Sequence, residues 1–330
     1  MPEATIRDVA RRAQLSVATV SRALNGFDNV SELARERVAE AVRELGYVPH
    51  AGARSLSLSR TNAIGVVLPD LHGEFFSEIV RGMDREASRR GYLLLLSNLH
   101  GRKQQAANAL LAMRGRVDGM LVMAPQLSEA ELSEALPARL PALLINTRAL
   151  DGGRPSIHLD NAAGTRAVVE HLAALGRKRL VHIAGPDGNI DAQERADAFR
   201  AACAAEGVAG EIVAGDFSED SGTAAVQELL KRGEAFDGIF AGNDNMAMGA
   251  LQALRSAGLD VPGDVAVAGF DDIPLARHLG ITTVRVRIAE LGERALDRLI
   301  ALIGGSDGGG DELHAPELVV RSTTRGGGGA

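Results

Sequence analysis

The chain has 330 residues, of which 45% are hydrophobic and 24% charged, and its formal net charge is −7. This length is too great for one hydrophobic core, so two or three domains are expected in a soluble globular protein. No apolar run approaches a membrane span, residues 1–20 lack a signal-peptide core, and the single cysteine, Cys203, excludes an internal disulfide. We therefore expect a cytoplasmic protein.

Charge is unevenly distributed along the chain. Residues 1–60 carry nine arginines against seven acidic residues, so the acidic excess lies in the remainder. A basic head on an acidic body suits local contact with nucleic acid without general adhesion to it.

Residues 5–26 predict two short helices separated by a tight turn. Thr5 can cap the first helix, and Ser16 can cap a second that runs from residue 17 to about residue 24. The outer face of the second helix is formed by Val17, Ala18, Ser21 and Arg22. This pattern is typical of a helix-turn-helix, whose second helix enters the DNA major groove, although an ordinary helical hairpin would share it.

A third helix is predicted from the N-cap Ser31 to Gly46, with an apolar stripe of Val38, Val42 and Leu45. Residues 1–48 would thus form a three-helix headpiece. Residues 49–61 are too short and polar to fold alone, so they form either a flexible linker or a helix that appears only on DNA.

Beyond residue 62 apolar strands alternate with amphipathic helices, which indicates parallel sheets in two doubly wound halves. The predicted strands span residues 63–69, 92–97, 118–124, 142–146, 179–185, 211–215, 236–242 and 264–270. Polar or small residues follow most of them, and ligands of such folds bind beyond the carboxyl ends of the strands. We therefore expect residues 62–324 to form a two-lobed α/β domain with a polar cleft. The glycine-rich residues 325–330 are predicted to be a disordered tail.

From residue 5 to about residue 324 the chain resembles the LacI/GalR transcriptional regulators. The matching stretches include TIRDVARRAQLSVATVSRALNG, VSELARERVAEAVRELGYVP, ARSL, GNDNMAMGAL and VPGDVAVAGFDDIPLAR. The strand and helix part alone could equally belong to a periplasmic sugar-binding protein, which shares the type I binding fold. The resemblance implies a helix-turn-helix headpiece, a hinge helix, and an effector-binding and dimerisation domain.

For DNA, the resemblance implies that Arg22 reads guanine, the commonest specific arginine contact, although a phosphate contact would suit it too. Val17 and Ala18 would be the specificity pair. Groups that position phosphates would be Thr5, Ser16, Thr19, Ser21, Asn25 and Ser31. Ala53 and Leu56 match hinge-helix residues, so Leu56 would wedge into a central base step from the minor groove, or else pack as a linker residue.

For the effector, the resemblance implies a site shared by both lobes. Phe75 or Phe76 would face the ligand from one lobe and Phe217 from the other, although each of the first two could equally belong to a helix core. Arg195 would supply a planar donor fork. The remaining polar positions are Asp70, Asn146, Asp160, Asn189, Asp191, Asn243 and Asp271. This density of carboxylates and amides favours a carbohydrate.

The chain departs from the family pattern in a region expected to cross between the two halves. Residues 278–281 are shorter than the usual proline-containing segment, and Val286-Arg287 stands where Gln-Pro is frequent. Closing geometry or effector identity would therefore differ there.

The function predicted from the sequence is that of a repressor of carbohydrate catabolism. A dimer would bind a pseudo-palindromic DNA operator under the control of a sugar-like effector, and induction and corepression both remain open. A transport-associated sugar-binding protein would lack the headpiece. An enzyme is not expected, because His182, Ser97 and Ser128 stand in no nucleophile–base arrangement and no cofactor or metal motif is present.

Overall fold

The computed structural model describes residues 4–48, 60–71, 73–99, 103–137, 139–147 and 154–325. The chain divides into two compact units, one of residues 1–62 with 116–118 and one of residues 63–115 with 119–330. Ala53, Leu56, most of the predicted hinge and residues 326–330 of the tail lie outside the described residues.

The smaller unit contains three helices, α1 (Ile6–Ala13), α2 (Val17–Leu24) and α3 (Glu32–Leu45). Thr5, Ser16 and Ser31 are the N-cap residues, as the sequence predicts. The Asp8 carboxylate accepts hydrogen bonds from the backbone N–H and the hydroxyl of Thr5, at 3.0 and 2.7 Å. A small core holds the helices together and consists of Val9, Ala10, Ala13, Val20, Val38, Ala41 and Tyr47.

The end of α3 differs from the predicted apolar stripe. Leu45 is 37% exposed, whereas Tyr47 is buried in the core. Gly46 adopts a left-handed conformation with φ of +59°, and the chain turns back so that the Tyr47 N–H bonds the Val42 carbonyl at 3.1 Å. This reversal places the tyrosine, instead of the leucine, against the other helices.

The larger unit contains two six-stranded sheets. The first contains β1 (Ala63–Leu68), β2 (Leu93–Asn98), β3 (Gly119–Val122), β4 (Ala142–Ile145), β5 (Ser156–Leu159) and β11 (Glu312–His314). The second contains β6 (Arg179–Ile183), β7 (Ala209–Val213), β8 (Gly238–Ala241), β9 (Ala266–Asp271), β10 (Thr282–Arg285) and β12 (Glu317–Val319). The strand orders are β11-β5-β4-β3-β1-β2 and β12-β10-β9-β8-β6-β7, and every pairing is parallel except that of β10 with β12.

Helices connect and cover the strands. They are α4 (Glu74–Arg90), α5 (Lys103–Ala112), α6 (Glu129–Ala135), α7 (Asn161–Ala174), α8 (Ile190–Glu206), α9 (Glu219–Arg232), α10 (Asp244–Ser256), α11 (Pro274–His278) and α12 (Ile288–Ile303). We call the first sheet with α4, α5, α6 and α12 the first lobe, and the second sheet with the remaining five helices the second lobe. The chain crosses between lobes after β5, after β10 and after β11.

The doubly wound α/β class is confirmed, and all eight predicted strands are present. The sequence missed β5, β10, β11 and β12, which are three or four residues long and carry polar side chains. Their short length removes the continuous apolar run by which buried strands are recognised. All four of these strands flank the crossovers, so the lobes were easier to predict from the sequence than the connections between them.

Candidate functional sites

The outer face of α2 is exposed as predicted. Val17 is 42% exposed, and Ala18 and Arg22 are exposed beside it. Val20, on the opposite side, is fully buried and anchors the helix to the small core. Two apolar side chains and one arginine are therefore presented together on a rigid element.

Several residues predicted to position phosphates lie at helix N-termini. The Ser16 hydroxyl accepts the Thr19 N–H at 3.1 Å, and the Ser31 hydroxyl accepts the Ala34 N–H at 3.4 Å. Helix N-termini attract phosphate through free N–H groups and the helix dipole. Ser21 and Asn25 are paired at the other end of α2, where the amide donates to the hydroxyl at 3.5 Å. The assignment of these residues to DNA contacts remains a prediction.

Arg195, on α8 in the second lobe, is almost fully buried. Its guanidinium lies 3.8 Å from the centre of the Phe270 ring and 5.9 Å from that of Phe217. Its Nε donates to the Oδ1 of Asn161 at 2.8 Å, and its Nη1 donates to the Gly242 carbonyl. The cation–π contact and the hydrogen bonds hold the Arg195 guanidinium in one orientation, as is required of a group that binds a ligand through directed hydrogen bonds.

Asn161, the first residue of α7, contacts the predicted site residues and was not named in the sequence analysis. It is 1% exposed, and its amide donates to Oδ1 of Asp191 and Oε2 of Glu194, both at 2.8 Å. Asn161 therefore connects the predicted pair Asp191 and Arg195. The available signal was its position directly after Asp160 at the end of a strand, but that strand, β5, had not been recognised.

Two predicted carboxylates of this site are buried with perturbed titration. Burial raises the pKa of Asp191, against the opposing effects of Arg195 and of the Asn161 hydrogen bond. Burial, together with the charge of Asp191, raises the pKa of Asp271 to about 7, while Arg195 acts in the opposite direction. The Asp271 carboxylate accepts no hydrogen bond from the part of the chain that the structure describes. A carboxyl in this state can accept from or donate to a hydroxyl.

Three predicted site residues are N-caps, so one side-chain oxygen of each is engaged by its own helix. Asp160 accepts the Ala163 N–H at 2.8 Å, Asn189 the Ala192 N–H at 3.0 Å and Asn243 the Met246 N–H at 2.9 Å. The Asn243 amide also donates to the Phe217 carbonyl at 3.0 Å. Asn146 accepts the Leu159 N–H at 3.1 Å and has a positive φ of +44°. These contacts shape strand ends and leave less capacity for a ligand.

The predicted aromatic groups lie in both lobes. In the first, Phe75 and Phe76 are half-buried and meet edge to face at 5.3 Å, so their alternative assignments as core or ligand contact both stand. In the second, Phe217 has a φ of +73° and its ring lies directly over Gly185, where a Cβ would come within 2.2 Å. Asp70 is exposed and accepts from the Leu71 N–H and the Asn98 amide.

A deeper carboxylate, Asp244, supports the Asp271 strand end from below. It is fully buried, and it accepts hydrogen bonds from the Ile273 N–H at 2.9 Å and the Thr283 hydroxyl at 2.5 Å. Burial raises its pKa well above the usual value. Asp244 therefore holds the loop after β9 in place.

Two of the residues considered for catalysis, His182 and Ser128, have structural roles. His182 is fully buried and stacks on Phe240 with ring centres 4.7 Å apart, and Ser128 caps α6. Within the described residues no group of three or more histidines, cysteines or carboxylates could hold a metal ion, and no helix is both long and apolar enough to span a membrane.

Two family models match the chain. Residues 5–50 match "Bacterial regulatory proteins, lacI family", and residues 169–324 match "Periplasmic binding protein-like domain". The ribose operon repressor of Halalkalibacterium halodurans is 36% identical over 327 residues, which cover 98% of each chain. The HTH-type transcriptional repressor CytR of Escherichia coli is 35% identical over 332 residues, which cover 98% of this chain and 96% of CytR.

Solved structures agree with these matches. The lac repressor dimer bound to operator and the anti-inducer ONPF has a TM-score of 0.87 at 30% identity, and the complex of the regulator CelR with cellobiose has a TM-score of 0.71 at 30% identity. Each covers 97% of this chain and 99% of its own. The chain belongs to the lacI family of bacterial regulatory proteins.

Proposed function

We propose that the protein is a transcriptional repressor of carbohydrate catabolism genes that acts in the cytoplasm. Two copies bind a pseudo-palindromic operator, because a two-fold protein matches two half-sites. The relatives named above are repressors, one of them of a ribose operon, which supports this function and not an enzymatic one.

The proposal of a ligand site rests on the buried polar side chains around Arg195 and Asp271. Isolated charges in a protein interior are costly unless they are paired, so a buried arginine and a carboxyl without a hydrogen bond indicate a site kept for a ligand. A fixed fork and a carboxyl suit adjacent hydroxyl groups, and Phe217 beside them offers a ring face to a sugar. We therefore assign the cleft to a sugar or sugar derivative.

The ligand acts by preferring one arrangement of the lobes. It can shift this equilibrium only by its difference in affinity for the two arrangements, and tenfold corresponds to about 1.4 kcal/mol. Operator titrations with and without the ligand distinguish induction from corepression by the direction of the change.

The DNA half is tested by selecting binding sites from random-sequence DNA with the full-length protein. We expect inverted repeats, and Arg22→Ala should weaken the selected site by about 1–3 kcal/mol because a guanine contact is lost. Arg43→Ala, which removes an exposed arginine from the end of α3, is the matched control. A wild-type protein with no preference for any inverted repeat over random DNA would overturn the proposal.

The ligand half is tested by a thermal-shift screen of sugars, sugar acids and nucleosides. A true effector raises the melting temperature as its concentration increases. The same ligand should stabilise Asp271→Asn less, because this isosteric change removes the ionisable group. An equal shift in both proteins would exclude Asp271 from the site.

A further inference from the structure

Asp271 and Asp272 are adjacent in sequence, but their side chains interact with different residues. The charge of Arg195 lowers the pKa of Asp271 against the effect of burial. The fully buried Asp272 carboxylate instead accepts hydrogen bonds from Arg285 Nε and Arg321 Nη2, both at 2.6 Å. Both residues have positive φ values, +112° and +57°, which allow this divergence. Asp272 therefore holds a group of arginines that is separate from the candidate effector site around Arg195.

A cavity of about 490 Å³ adjoins this cluster. Its walls come from α4 and the first turn of α12 in the first lobe, and from α11 and the end of β10 in the second. The lining includes four arginines, Arg81, Arg277, Arg285 and Arg287. The cavity thus lies beside the crossover that follows β10, where both lobes contribute residues.

The charges of this cavity are incompletely balanced. Glu78 pairs with Arg81, Glu290 and Glu317 lie 3.6 and 3.5 Å from Arg287, and Asp272 is held by Arg285 and Arg321. Glu317 also lies 3.7 Å from Arg285, so Arg277 is the lining arginine with the weakest pairing. The Arg277 side chain is 65% exposed, and its guanidinium lies 4.0 Å from the Asp272 carboxylate. Arg277 is therefore a weakly engaged cation at the cavity wall.

The first turn of α12 adds positive potential. Arg287 is its N-cap residue, with a φ of +54° and no side-chain cap, and Ile288, Ala289 and Glu290 line the cavity. Uncapped N–H groups at the start of a 16-residue helix favour an anion. The N-terminus of α12 and the arginines both favour a negatively charged ligand.

This cavity coincides with the departure from the family pattern noted in the sequence. Arg287 belongs to the Val286-Arg287 pair that replaces Gln-Pro, and Arg277 directly precedes the shortened segment 278–281. A cavity of this volume falls in the range of small-molecule sites and exceeds a single phosphate ion.

We propose that this cavity binds the phosphate group of a small metabolite, at a second ligand site separate from the effector cleft. Arginine binds phosphate through charge-assisted, bidentate hydrogen bonds. A ligand held by Arg277 from the second lobe and by the α12 N-terminus from the first favours the lobe arrangement in which both are within reach. This inference does not depend on the identity of the cleft effector.

The test is a titration of the full-length protein with inorganic phosphate, followed by ³¹P line broadening at ionic strength matched with chloride. Wild type should show saturable binding, which Arg277→Glu should weaken about tenfold or more and Arg277→Lys should largely retain. Arg200→Glu is the control, since Arg200 is an exposed arginine of α8 paired with Asp197. Equal phosphate binding by wild type and Arg277→Glu, or no saturable binding by wild type, would overturn the proposal.

A second variant guards against a folding defect. Arg287→Gly removes a cavity arginine at a positive φ that glycine adopts readily, so the fold should survive while phosphate binding weakens. Asp271→Asn should leave phosphate binding within about threefold of wild type, a change of less than about 0.7 kcal/mol. A large loss in Asp271→Asn, with none in Arg287→Gly, would place the phosphate in the effector cleft and contradict a second site.

Discussion

Arg195 and Asn161 lie on neighbouring helices of the second lobe, and the arginine Nε donates a 2.8 Å hydrogen bond to the asparagine Oδ1. The same asparagine holds Asp191 and Glu194 through its amide. Asn161 also begins α7 directly after the first crossover, where the Asp160 N–H bonds the His314 carbonyl of the first lobe at 3.0 Å. The orientation of the predicted effector arginine is thus tied to a connection between lobes.

Replacing Asn161 by alanine should destabilise the protein and weaken its response to the effector. The change removes the buried hydrogen-bond partner of Arg195 Nε and of Asp191 Oδ1, which costs about 2–4 kcal/mol of unfolding free energy. Denaturant unfolding measures the first effect and the ligand-induced melting shift the second. Gln193→Ala, at an exposed position of α8, the helix that carries Arg195, is the control. Unchanged values of both quantities in Asn161→Ala would contradict the positioning role.

Much of the headpiece could be predicted from sequence because its signals are local. Capping residues, turn length and helical spacing lie within a few residues of one another, and the structure reproduces the predicted bounds of α2. Tyr47 was missed because its burial depends on the chain reversal at Gly46. After Gly46 the chain is no longer helical, so the helical spacing of apolar residues cannot predict that Tyr47 is buried.

The cleft was predictable only in part. Strand ends and family motifs indicated Arg195 and Asp271, but Asn161 required the position of a strand too short and polar to recognise. The arginine cavity combines residues from three separate stretches of the chain, 78–81, 272–277 and 285–290. Such combinations depend on tertiary packing, so a local sequence pattern does not predict them.

Asp271→Asn should raise stability at alkaline pH while reducing effector binding. The folded pKa, about 7, lies above the usual value of 3.8, so the ionised group costs stability as pH rises through this window. The full cost, present above pH 7, corresponds to roughly 4 kcal/mol. The difference between variant and wild type should therefore be small near pH 4 and greatest above pH 7. A difference that does not change with pH would show that Asp271 titrates normally.

His182 should make the protein less stable as pH falls. Burial lowers its pKa from 6.5 to about 4, and the hydrogen bond from its ring to the Phe240 carbonyl only partly opposes this. The neutral form is favoured on folding, so stability is fully present above pH 6.5 and is lost as pH falls towards 4, by roughly 3 kcal/mol.

The measurement is the unfolding free energy of wild type and His182→Gln at several pH values. Glutamine keeps a donor but does not titrate in this range, so the variant should lack that part of the loss. His278→Gln, at an exposed histidine of α11, should retain the wild-type slope. If wild type and His182→Gln lose stability in parallel between pH 6.5 and 4, the buried histidine is not the cause.

The edge strand β2 should contribute to the contact between two copies of the chain. Among the strands that the structure describes, it pairs with β1 alone, and Leu93, Leu95 and Leu96 are 72%, 39% and 44% exposed. An exposed apolar edge strand is unfavourable in a monomer and is commonly covered. The variant Leu93→Lys/Leu95→Lys should therefore dissociate the dimer and weaken binding to a two-half-site operator, as measured by sedimentation velocity and gel shift.

Leu313→Lys provides the matched control, because Leu313 is a 64% exposed leucine of β11, at the opposite edge of the same sheet. It should sediment as wild type, since the proposed contact involves only the β2 edge. Each lysine places a charge where the partner's apolar surface would be, so the two substitutions should act in the same direction. A dimer that survives both lysines on β2 but dissociates with Leu313→Lys would place the contact at the other edge of the sheet.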